Sequence, residues 1–238
     1  MKTIVHKSDT RGFANHGWLK SHHTFSFANY QNAERMNFGV LRVLNDDVVQ
    51  PKMGFGTHPH QNMEIISIPL KGALSHKDNM GNKRAINVGE VQVMSAGTGL
   101  THSEFNDSKT DEVNFLQLWI IPEELSVEPN YEQHIFSKEG KKNQLQTVVA
   151  PKDKLEGEAL PISQQAYIYR ADLDADKMIK LHMKSEQNGF YVFVVDGSIE
   201  VADTTLSKRD AIGISETETV EIKANDNSEL IIIEVPMN

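Results

Sequence analysis

Two short segments of this chain carry residues able to bind a metal ion, His58-Pro59-His60 and His102-Ser103-Glu104. Each places two nitrogen or oxygen donors at positions i and i+2. On a β-strand successive side chains point to opposite faces, so residues two apart share a face roughly 6.5–7 Å apart along the strand. Two such strands facing one another inside a barrel could aim three imidazoles and one carboxylate at a single point. That donor set suits a divalent transition metal and leaves coordination positions open for a substrate. The reading requires that the surrounding chain be β and that the two segments meet.

Composition narrows the field. The 238 residues suffice for one large or two small domains with a substantial core. No apolar run approaches the ~18–20 residues that span a membrane, and residues 1–30 have no secretory-type apolar stretch, so a cytoplasmic location is expected. There is no cysteine, which excludes disulfides, thiolate ligands and a cysteine nucleophile. A formal charge of −9 argues against direct binding to nucleic acid, which needs a basic face. A protein partner stays open.

Strand signals dominate the chain: Phe38–Leu44, Met63–Leu70, Val91–Met94 and Asn114–Ile121 in the first half, then Met178–Met183, Phe190–Val195, Ala211–Ile214, Val220–Lys223 and Leu230–Val235. No window shows a sustained 3.6-residue apolar period. Short helical turns near Glu123–Leu125 and Ser137–Glu139 are the most that is expected. Many short strands separated by Gly, Asn and Asp turns predict an all-β barrel or sandwich.

Three landmarks recur in order. Leu70-Lys71-Gly72-Ala73-Leu74 resembles Val195-Asp196-Gly197-Ser198-Ile199, Glu90–Ser95 resembles Asp210–Ser215, and Phe115–Pro122 resembles Leu230–Pro236. The spacing predicts two copies of one β-unit: a metal-binding barrel over residues 1–135, a connecting segment over 136–161, and a second barrel over 162–238. The first copy holds His58, His60, Glu64, His102 and Glu104. The second holds only His182, with Glu186 nearby, and is expected to bind no metal.

With these residues in place the chain resembles the cupin superfamily, and within it the pirin group of bicupins. Gly54, Gly56, His58-Pro59-His60, Glu64 and Gly72 follow the first general cupin pattern. Gly89, Val91–Met94, Gly97-Thr98-Gly99, His102 and Asn106 follow the second, with Ser95 standing where a proline is usual. The pirin resemblance is closer, through Gly17-Trp18, His23–Phe27, His58–Glu64, His76-Lys77-Asp78 and Met94–Asn106. It implies an all-β bicupin of two tandem jelly-roll-like barrels. Carried over by position, the implied metal ligands are His58, His60, His102 and Glu104. Many other cupins use the glutamate after H-x-H, here Glu64; strand spacing favours Glu104, with Glu64 as a supporting or reserve ligand.

The resemblance further implies one divalent metal, Fe2+ foremost, with Cu2+, Mn2+, Ni2+, Co2+ or Zn2+ as alternatives. It implies a quercetin-type flavonol 2,3-dioxygenase that uses O2 and releases carbon monoxide, with Glu104 as general base for the flavonol 3-hydroxyl. The alternative is a metal- or redox-dependent regulator that binds a transcription factor or a metabolic enzyme. A sizeable apolar cavity open to the metal favours the first reading. Of the remaining residues, His23 is expected to hold a structural hydrogen bond, His76 to be solvated beside a turn, and His182 to sit in the core or rim of the second barrel. Trp18, Phe25 and Phe27 are candidates for the mouth of the first barrel, and Met53, Met63 and Met94 for a pocket border, with plain packing as the alternative for each.

Overall fold

The apolar and alternating runs form twenty-two strands in the computed structural model, which describes residues 1–238. The only helical pieces are the 3-10 turns Ser8–Thr10 and Glu139–Lys141; the turn expected at Glu123–Leu125 is a non-helical bend. Each half of the molecule is a seven-stranded sheet faced by a four-stranded one, giving two tandem barrels of the expected all-β bicupin type.

In the first barrel the large sheet runs, in spatial order, Asn130–Ile135, Glu90–Ser95, Glu64–Lys71, Val113–Ile120, Leu41–Val49, Leu19–His23 and Gly12–Asn15. Facing it are Gly54–His60, Leu100–Asn106, Ala73–Asp78 and Lys83–Asn87. The predicted runs near 63–70, 91–94 and 114–121 become Glu64–Lys71, Glu90–Ser95 and Val113–Ile120. The run expected at Phe38–Leu44 starts as a strand only at Leu41.

The strand Val113–Ile120 reads as mostly apolar because both its faces are buried. Leu116, Leu118 and Ile120 join Leu44, Ile66 and Ile68 on the back of the first large sheet. Tyr191, Phe193, Ile231 and Ile233 cover them from the back of the second large sheet, in one core of 25 residues. The two barrels therefore stand back to back, sharing a sheet-on-sheet interface. The interior of the second barrel is a separate apolar core that includes Phe190, Val192, Ile212, Ile222 and Ile232.

The chain crosses between the halves more than the sequence suggested. Lys2–His6 pairs antiparallel with Ala211–Ser215, an edge of the second large sheet. His6 Nδ1 lies 2.8 Å from the hydroxyl of Tyr191, whose ring packs on Phe25 at 5.6 Å. Residues 136–161, expected as a connection, supply the strand Gln146–Pro151 and reach Leu160–Ile162, both in the second large sheet. Their polar composition conceals a short run buried on both faces: Val148, Val149 and Ala150 are buried while the neighbouring turn is solvated.

Leu118 is fully buried in the shared core. Leu118→Ala is therefore expected to destabilise the protein by about 2–5 kcal/mol. Equilibrium denaturation checks this, and a loss below about 0.5 kcal/mol would contradict the back-to-back packing.

Candidate metal centre

The two ligand-bearing segments do meet. Leu100–Asn106 pairs antiparallel with Gly54–His60, placing His102 opposite His58. The register shifts between His102 and Glu104. On its other edge the same strand pairs with Ala73–Asp78, with His102 opposite Asp78 and Glu104 opposite His76. Gly54 permits this close approach, since a Cβ there would strike the Glu104 carbonyl oxygen and Phe105 Cα. Gly97, at φ +46°, turns the chain before the His102 strand where a Cβ would meet the Val127 carbonyl oxygen.

His58, His60 and His102 converge, their donor atoms all within 4.8 Å of one another. The Nε2 atoms of His58 and His102 lie 3.1 Å apart. His58 Nδ1 donates to the Gly56 carbonyl oxygen at 2.7 Å, which leaves the lone pair on Nε2. Burial, followed by the neighbouring imidazole charges, pushes the His60 pKa down to about 4 and that of His102 to about 2. Both rings are neutral near pH 7, the form that binds a metal. His102 Nδ1 is buried with no partner. Three imidazoles with converging ring nitrogens fit a divalent transition metal better than they fit one another.

Glu104 stands with His102 and His76 in a second cluster, again within 4.8 Å, so His102 belongs to both groups. Its carboxyl is buried, accepting from Gln117 Nε2 at 3.3 Å, with Ser67 Oγ 3.2 Å from the other oxygen. The same Ser67 Oγ lies 2.7 Å from Gln117 Oε1, tying the three residues together. Burial pushes the Glu104 pKa up to about 7 against these two hydrogen bonds, which favour the charged form.

Glu64 takes no part in either cluster. It pairs with Ile120 and Ser95, on the parity that faces the second barrel, and its carboxyl accepts from Ser95 Oγ at 2.6 Å. It is not a reserve ligand in this geometry. His76 also departs from expectation: it is fully buried, its Nε2 3.1 Å from Asp78 Oδ2 and its ring 5.3 Å from that of His102. The turn begins only after Asp78, whose carboxyl accepts from Met80 N and Asn82 N. His182 is exposed on the rim of the second barrel.

A cavity of about 580 Å3 opens onto His58, His60 and Glu104. Its walls include Trp18, Phe27, Tyr30, Phe55, Phe115 and Trp119. Trp119 stands edge-to-face against His60 at 5.1 Å and Phe27 at 5.4 Å. Trp18 and Phe27 thus line the mouth, whereas Phe25 packs into the shared core. None of Met53, Met63 and Met94 lines the cavity; Met94 fills a small core with Ile65 and Leu100. His23, expected to hold a structural hydrogen bond, instead lines the cavity with Nδ1 unpartnered. The sequence reading overlooked Ser67, Gln117, Asn45 and Asp47. Its available signal was polar residues interrupting otherwise apolar strands, as in Leu44-Asn45-Asp46-Asp47-Val48.

Comparisons with known proteins bear on this site. Residues 5–120 match the Pirin family, and residues 147–235 match the Quercetinase C-terminal cupin domain. The chain is 41% identical over 233 residues to a protein named quercetin 2,3-dioxygenase from Escherichia coli (strain K12), covering 98% of each. It is 37% identical over 226 residues to a pirin-like protein from Caulobacter vibrioides, covering 95% of this chain and 96% of that one. Several other relatives carry the dioxygenase name as an attribution only. The crystal structure of the bacterial pirin YhhW from Escherichia coli in complex with nickel(II) superposes with a TM-score of 0.93 at 38% identity, covering 100% of both chains. With residues, fold and relatives in agreement over nearly its whole length, this chain belongs to the pirin family of bicupins.

Proposed function

We propose that the protein is a metal-dependent flavonol 2,3-dioxygenase of the quercetinase type, with His58, His60, His102 and Glu104 holding one divalent metal, Fe2+ foremost. Such an enzyme adds O2 to a flavonol, opens its heterocycle and releases carbon monoxide. The observation that carries this reading is the 580 Å3 aromatic-walled cavity ending at His58, His60 and Glu104. A protein that used its metal only to regulate a partner would have no need of a cavity that size. The E. coli relative named quercetin 2,3-dioxygenase supports the same substrate class.

When bound, the metal supplies Lewis acidity to the flavonol 3-oxygen and an electron path to O2. The remaining work falls to this chain's residues. Glu104, whose carboxyl borders the cavity, would accept the 3-hydroxyl proton on a carboxylate oxygen. Gln117 and Ser67 hold that carboxyl in place and stabilise its ionised form. The hydrogen bond from His58 Nδ1 to Gly56 and the edge contact of Trp119 on His60 fix two imidazoles before any metal arrives. Trp18, Phe27, Phe55 and Phe115 offer flat apolar surface to an aromatic ligand and keep water from it.

Elemental analysis of the purified protein, followed by quercetin absorbance and O2 uptake with Fe2+, Cu2+, Mn2+, Ni2+ or Co2+ restored, tests the assignment. Turnover with at least one ion is expected, and none with any ion would overturn it. Glu104→Gln is expected to keep most of the metal and to lose at least about 100-fold in turnover. Undiminished activity would remove Glu104 as the base. His102→Ala, lacking the nitrogen common to both clusters, is expected to purify without stoichiometric metal.

A pH effect follows for the metal-free protein. The Glu104 pKa rises from 4.5 when unfolded to about 7 when folded, so the folded state holds the proton more tightly and stability falls as pH rises through that window. Glu104→Gln removes this penalty. Urea denaturation of the chelated protein should show the variant gaining on the parent by up to about 3 kcal/mol between pH 4.5 and 8. A pH-independent difference would contradict the burial of an ionisable carboxyl there.

A further inference from the structure

The cavity carries a second polar group that the proposed chemistry leaves unused. On the strand Leu41–Val49, Asn45 and Asp47 face the cavity. Asp46 between them turns to the opposite face, within 3.5 Å of Arg11 and 3.4 Å of Arg209. The two inward residues have no such partners. Asn45 is 3% exposed and Asp47 5% exposed, yet Oδ1 of each lacks any hydrogen bond. Burial, only partly offset by the Ser21 hydroxyl, pushes the Asp47 pKa up to about 7.

Register extends this pair into a patch. Asn45 lies opposite His23, whose Nδ1 is also unpartnered, and Asp47 lies opposite Ser21. On its other side Asn45 faces Gln117, the residue that donates to Glu104. The row Gln117, Asn45, His23 therefore leads from the proposed base across two strand spacings, about 10 Å, to the far wall. Phe115 stands opposite Asp47, and Trp18, Phe27 and Tyr30 complete the aromatic surround. Buried acceptors without partners cost stability, and a ligand that supplies a donor recovers it. A ligand that meets both polar groups is planar, with one hydroxyl at Glu104 and another at Asn45 and Asp47, on the strand next to that of Gln117.

We infer that Asn45 and Asp47 form a recognition subsite for a second phenolic hydroxyl, so that the cavity selects polyhydroxylated flavonols over those bearing only the 3-hydroxyl. The inference rests on the flavonol reading above and adds to it the pair of residues that sets specificity.

Binding without turnover tests it. Protein loaded with nickel(II) is titrated anaerobically with quercetin and with 3-hydroxyflavone, following quenching of the cavity tryptophans Trp18 and Trp119. Quercetin is expected to bind the unsubstituted protein about tenfold more tightly than 3-hydroxyflavone. Asp47→Ala and Asn45→Ala are each expected to lose about tenfold for quercetin while leaving 3-hydroxyflavone within about twofold. Removing a buried carboxyl whose Oδ1 has no partner should not prevent folding, and Asn45→Ala carries the same expectation should Asp47→Ala misfold. Equal affinity for the two flavonols, or parallel losses for both in the variants, overturns the subsite and leaves the flavonol reading standing. Failure of both flavonols to bind the unsubstituted protein overturns the subsite and the flavonol reading together.

Discussion

The strand Val113–Ile120 is paired on both edges and buried on both faces, and its register sets the arrangement of everything around it. Its even residues Leu116, Leu118 and Ile120 belong to the interface between barrels; its odd residues Phe115, Gln117 and Trp119 line the cavity. A slip of one residue would exchange the two sets, turning an amide into the apolar interface and a leucine toward Glu104. The same parity propagates outward. It separates Ser67, beside Glu104, from Ile66 and Ile68 in the interface, and Asp47 in the cavity from Asp46 among the arginines.

This arrangement concentrates unfavourable electrostatics in one place. The first barrel buries imidazoles held neutral and two carboxyls, Asp47 and Glu104, whose pKa values burial drives up to about 7. Burial of such groups is costly unless they are paired or coordinate a metal. The second barrel, built on the same two-sheet plan, fills its interior with aliphatic and aromatic side chains. One barrel contributes stability and the other carries the groups that chemistry needs. They cannot act as separate parts, because the first strand of the chain belongs to the second barrel's sheet and the two large sheets share one core.

Much of this could be read along the chain, for identifiable reasons. Strand runs announced themselves through alternation, and the i, i+2 donor pairs matched the period of a strand whatever its partners. Residues acting through neighbours in space were invisible. Nothing local marks Gln117 as a partner of Glu104, since the two meet across facing sheets. His76 looked solvated because it precedes a turn, yet pairing with Glu104 draws it fully inside. The segment 136–161 looked like a linker because its polar residues outnumber the few buried ones that make it a strand.

The amino-acid sequence by itself determined the period of the elements, and hence an all-β chain whose histidines gather in the first half. It also set which donors share a strand face, His58 with His60 and His102 with Glu104. Only the tertiary structure decided which faces point where. Strand spacing favoured Glu104 over Glu64 but left Glu64 in reserve; cross-strand registry sends Glu64 toward Ser95 and the second barrel, and Glu104 toward His102 and His76. The period of a strand is a local property of the backbone, whereas its inward face is chosen by partners distant in sequence, whose packing no short window contains.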